Sequence, residues 1–147
     1  MKIKIIAAGK IKEEYFRNLL DEYSKKLNKK ADFEIIEVQD EKTPDNASEK
    51  EEEKIKAAEG ERILSQIPED SVLVSLDICG RKTDSKKIEE IIKMNKERNS
   101  VVFIIGGSLG LDQKVLKKSD FRISFSDMTF PHQMIRVLLS EQICNAV

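Results

Sequence analysis

Histidine occurs once in this chain, cysteine twice and tryptophan not at all. One imidazole and two distant thiols, Cys79 and Cys144, with no CxxC pair, do not supply the three or four clustered ligands of a structural zinc site. The thiols read instead as reduced, buried side chains, since nothing marks the chain for an oxidising compartment. Proline, at 3, and glycine, at 6, are too scarce for a collagen-like or low-complexity chain. No apolar stretch approaches the roughly 20 residues that span a bilayer, and the N-terminus lacks a signal-peptide apolar region. The expectation is a cytoplasmic protein with no metal and no membrane contact.

What is present fits one domain covering residues 1–147, with 36% charged and 39% hydrophobic residues. A net charge of -1 gives no whole-protein case for nucleic-acid binding, but the charge is segregated. Residues 1–30 hold nine Lys or Arg against four Asp or Glu, and residues 31–61 hold four against twelve. The basic segment ends in Lys25, Lys26, Lys29 and Lys30, which suits either phosphate contacts or an ordinary solvated helix face.

Strand-like apolar runs fall at Ile3–Ala8, Phe33–Val38, Val72–Asp77, Val101–Ile105 and Phe121–Phe125. Helical patterns follow at about 12–28, 48–65, 85–97, 112–118 and 132–146, with Asp84 or Ser85 and Asp112 as caps. Strict alternation of strand and helix predicts an α/β fold with a parallel sheet covered on both faces. The longest loop, Gln39–Asn46, is expected to be mobile. The last helix is apolar at 134, 135, 137, 138, 139 and 143, around most of its circumference. A small domain rarely encloses such a helix fully, so a homodimer is expected.

In parallel sheets ligands sit beyond the carboxyl ends of the strands. Three turns fall there: Ile78-Cys79-Gly80, Gly106-Gly107-Ser108-Leu109-Gly110, and Ser126 through His132. The glycine turn fits neither G-x-G-x-x-G nor the Walker pattern, which leaves pyrophosphate cradling unsupported. It suits close approach to a flat, mostly uncharged ligand such as adenosine, or a tight structural turn. The Ser126–His132 turn offers backbone groups to an adenine edge, with Met128 and Phe130 against the ring. It reads equally as a connection in which Phe130 staples the next helix. His132 has the ordinary pKa of a general base but no sequence-adjacent carboxylate to orient it, so a structural role stays open.

Together these motifs resemble a known family. Val72-Leu73-Val74-Ser75-Leu76-Asp77, Phe103 through Gly110, Ser124 through Val137, and Ile5-Ile6-Ala7-Ala8-Gly9-Lys10 resemble ribosomal RNA large subunit methyltransferase H, of the SPOUT superfamily. The likeness runs from Met1 to about Ala146.

The resemblance implies an α/β-knot fold with a C-terminal trefoil knot, a homodimer, and S-adenosylmethionine as methyl donor. It implies methylation of N3 of a pseudouridine in 23S rRNA of the assembled 70S ribosome. By position, the donor-binding residues are Leu76, Gly106, Phe125, Ser126, Asp127, Met128, Thr129 and Phe130. Arg136 and His132 are carried over as RNA-holding residues, and no residue is assigned as the catalytic base. The family usually continues into a Tyr-His-basic tail, whereas this sequence stops at Ile143-Cys144-Asn145-Ala146-Val147. The expectation is therefore a chain that keeps the fold and binds the donor but transfers methyl poorly. A competing reading is a non-catalytic dimer that docks on ribosomes and holds an adenosine-containing ligand. A nucleotide- or flavin-binding electron carrier lacks both a phosphate loop and an aromatic flavin sandwich.

Overall fold

A computed structural model describes residues 1–147. Five strands alternate with five helices: β1 (Lys2–Ala8), α1 (Glu14–Leu27), β2 (Asp32–Val38), α2 (Glu49–Leu64), β3 (Ser71–Lys82), α3 (Ser85–Met94), β4 (Ser100–Ile105), α4 (Gln113–Lys118), β5 (Phe121–Ser124) and α5 (His132–Ala146). The sheet runs β2-β1-β4-β3-β5, and every pairing between strands is parallel.

Hydrophobicity sets each strand's place. β4 is buried at all six positions and occupies the centre, whereas β2 alternates with exposed residues and lies at an edge. One face of the sheet, with Ile3, Ile5, Val74 and Phe103, packs on Leu27 of α1, Ile88 and Ile92 of α3, and Leu139 and Ile143 of α5. The other face, with Ile6, Ala8, Val102 and Ile104, packs on Ile63 of α2 and Val115 and Leu116 of α4. The chain therefore leaves adjacent strands β1 and β4 toward opposite faces. Such a divergence opens a crevice at the carboxyl ends of the strands.

Local chemistry starts the helices where the pattern expects. Ser48 accepts from the Glu51 N–H at 3.2 Å to cap α2, and Asp84 accepts from the Lys87 N–H at 2.8 Å to cap α3. Asp112 precedes α4 without a side-chain cap bond.

Three expectations need correction. Ile78-Cys79-Gly80 is not a turn at the end of a strand: β3 continues through it to Lys82, with a register break between Leu76 and Arg81 against β5. Both cysteines are free as expected, but Cys79 is exposed on this extension and Cys144 is half-buried. The Gln39–Asn46 loop is fastened at its start, because Glu41 N–H donates to Glu59 and Arg62 binds both Gln39 O and the Glu41 carboxylate.

Candidate functional site

Register brings the predicted donor residues to one level. Leu76 is paired with Ile105 on β4 and with Ile123 on β5. Gly106 therefore follows one neighbour of Leu76 directly, and Phe125 lies two residues past the other. Leu76 and Phe125 are half-buried and rest on the apolar core beside Ile105 and Ile123. They form an apolar floor under the ends of three adjacent strands.

Above that floor the backbone is unusually close-set. A Cβ on Gly106 would stand 2.8 Å from the Gly110 carbonyl, and Gly110 itself has φ +87°. Neither position accepts a side chain without rearranging the turn. Gly107 and Gly110 bridge one another, which closes the loop into a small ring of backbone.

The third segment is braced at its base and open at its tip. Ser124 Oγ donates to Ser126 O at 3.0 Å, Ser126 Oγ accepts from the Met128 N–H at 3.1 Å, and Asp127 pairs with Lys82 at 2.6 Å. Asp127, Met128 and Thr129 are exposed, Met128 to 64%, while Phe130 is half-buried. From β5 at one edge the chain returns across the rim, and α5 lies against both α1 and α3.

His132 and Arg136 sit at a different part of the rim, over the ends of β1 and β2. Arg136 is wholly buried: Nη1 donates to Glu37 Oε2 at 3.0 Å and Nη2 to Ala8 O at 2.8 Å. Glu37 Oε2 also accepts the Ile11 N–H at 2.8 Å. These bonds fix α5 to the ends of β1 and β2. Half-buried His132 has its pKa lowered, first by burial and then by the Arg136 charge, against an opposing pull from Asp40. The imidazole is accordingly neutral at pH 7, the form that accepts a proton.

Sequence reasoning missed Glu37 and Glu59. Glu59 is only 4% exposed, accepts from the Glu41 N–H at 2.9 Å and lies against the glycine ring, where a Cβ on Gly107 would stand 2.9 Å from its Oε1. Burial raises its pKa, with Asp40 and Glu41 adding to the effect. Nothing in a helix as charged as α2 marks one glutamate of many as buried. For Glu37 the only signal is an acidic residue one position before the end of an apolar strand.

No group of three or more His, Cys, Asp or Glu is placed to hold a metal ion. No helix is long and apolar enough to cross a membrane. A family profile described as "Predicted SPOUT methyltransferase" matches residues 1–147. The chain is 47% identical to ribosomal RNA large subunit methyltransferase H of Clostridium perfringens (strain 13 / Type A), over 99% of this chain and 93% of that protein. It is 48% identical to the protein of the same name from Clostridium botulinum (strain Hall / ATCC 3502 / NCTC 13319 / Type A), with the same coverage. On these matches and on its five-stranded parallel sheet, the chain belongs to the SPOUT methyltransferase family.

Proposed function

We propose that this protein is an S-adenosylmethionine-dependent methyltransferase that methylates N3 of a pseudouridine in 23S rRNA of the assembled 70S ribosome, working as a homodimer. The observation that carries the reading is the meeting of Leu76, Gly106 and the Phe125–Phe130 segment on three adjacent strand ends. The names of the relatives support the rRNA methyltransferase assignment and disfavour a docking module without chemistry.

The residues present fit the donor. Leu76 and Phe125 offer apolar surface to an adenine ring, the Gly106–Gly110 backbone admits close approach, and the exposed Asp127–Thr129 backbone offers polar groups to its edge. When bound, S-adenosylmethionine supplies a methyl group on a positively charged sulfur. An apolar wall suits a reaction in which that charge disappears, and the rigid strand ends favour positioning as the main source of acceleration. The N3–H of pseudouridine must lose its proton as the new bond forms. No side chain at the three strand ends is assigned to take it.

The homodimer is supported by the outer side of α5 and its neighbour α1. Met134, Leu19 and Tyr15 are 37%, 39% and 62% exposed, and Val137 and Leu138 are only half-buried.

Labelled methyl transfer from S-adenosylmethionine to purified 70S ribosomes tests the proposal. The expected product is one labelled 23S rRNA site, mapped to N3 of a pseudouridine. Label at another base, or none while the donor binds, would overturn it.

A further inference from the structure

At the end of the molecule opposite the donor rim, α1 finishes in a turn that carries Lys25, Lys26, Lys29 and Lys30, all exposed. The turn lies at the amino ends of β1 and β2, as the bond from Asp32 N–H to Met1 O at 3.0 Å fixes. Two concavities share these lysines. One, of about 390 Å³, lies between α1 and the end of α5 and is lined by Tyr23, Lys26, Lys29, Lys30, Glu141 and Cys144, among others. The second, of about 560 Å³, holds Lys25 and Lys29 with Asp21, Ser24 and Asn28.

The cluster is not internally neutralised. Eight ion pairs form elsewhere in the molecule, yet none of these four lysines has a side-chain carboxylate within 4.0 Å. Glu141 lines the first concavity and Asp21 the second, neither within 4.0 Å of an ammonium nitrogen. Lys30 donates only to Val147 O, at 3.2 Å. Favourable contact with the helix C-terminus explains one or two cations in the last turn, not four in six positions. Cations that track a phosphate backbone supply most of the sequence-independent affinity of a protein for RNA.

We infer that the Lys25–Lys30 turn is a second RNA-contacting surface that binds phosphates of the substrate RNA away from the methylated nucleotide. The inference rests on the RNA-methyltransferase reading and adds a place of contact to it. Each phosphate neutralised releases condensed counterions, so the surface contributes a salt-dependent, sequence-independent share of affinity.

Fluorescence anisotropy of a labelled single-stranded RNA, titrated with the full chain from about 50 to about 200 mM salt, reads that share directly. In the variant Lys25→Gln/Lys26→Gln/Lys29→Gln/Lys30→Gln the plot of log affinity against log salt is expected to be shallower by about three units, with at least ~10-fold weaker binding at the lowest salt. The control Lys114→Gln/Lys117→Gln/Lys118→Gln, on exposed residues of α4, is expected to keep the wild-type slope, and donor affinity by calorimetry is expected to be unchanged in both. An equal loss in the two variants would make the effect one of net charge and overturn the inference. A quadruple variant with the wild-type slope would overturn it while leaving the RNA reading intact. Absence of single-stranded RNA binding by the wild-type chain would overturn the inference, while the reading it rests on is overturned separately, by the 70S methyl-transfer assay.

Discussion

Arg136 on α5 and Glu37 on β2 are 99 residues apart in sequence and 3.0 Å apart in space, joined where the donor-loop segment enters its helix. The same carboxylate oxygen accepts the Ile11 N–H, so one ion pair fastens α5, β2 and the turn after β1 together. Removing one partner of a buried pair costs more than removing both, because it leaves a charge without compensation. Arg136→Ala is expected to lose about 3 kcal/mol in urea unfolding, the low end of the range because Glu37 keeps some solvent contact. Arg136→Met/Glu37→Met is expected to recover a substantial part of that loss. A double variant as unstable as the single one would contradict the assignment.

Glu59 should make stability depend on pH in a definite direction. Its folded-state pKa is raised above the ordinary 4.5 by burial, so its contribution is fully present below 4.5 and is lost as pH rises through the folded value. Glu59→Gln is therefore expected to gain stability on the wild type at pH 8 and to lose that gain near pH 4. Denaturant midpoints at the two pH values check the sign, and a difference independent of pH would contradict the buried carboxyl.

His132 works in the other direction. Its pKa is lowered by burial and by Arg136, so its contribution is present above the ordinary 6.5 and is lost as pH falls from there through the lower folded value. His132→Gln is expected to flatten thermal stability against pH below 6.5. A stability profile below pH 6.5 that is the same in the variant and the wild type would contradict the buried imidazole.

The outer face of α5 gives a prediction about assembly. Leu138→Glu, with Met134→Glu as a second variant, places a charge on half-buried or exposed apolar surface without entering the core cluster. Each is expected to shift the chain from dimer to monomer by analytical ultracentrifugation, with its circular dichroism spectrum unchanged. A wild-type chain already monomeric at micromolar concentration would contradict the homodimer.

Much of the fold is legible because its signals are local. Alternating apolar runs and helical periods place β1, β2, β4 and β5 within a residue or two. The extension of β3 is not legible, because Asp77–Lys82 is polar and joins the sheet only by pairing with β5 across a register break. In the site, the Gly106–Gly110 and Ser126–His132 turns stand out by composition as candidates, and family likeness adds Leu76, Phe125 and the donor role. Arg136 shows where such reasoning ends. The family likeness carries it over as an RNA-holding residue, whereas its pairing with a carboxylate on a distant strand shows only once the sheet is assembled.

Calorimetric titration of the chain with S-adenosylmethionine tests the central claim most directly, because it asks for the donor site alone. One saturable site per chain is expected, and Gly106→Ala, whose Cβ would stand 2.8 Å from the Gly110 carbonyl, is expected to weaken it by at least ~10-fold. No heat at ~1 mM donor, or equal affinity in the Gly106→Ala variant, would contradict the account.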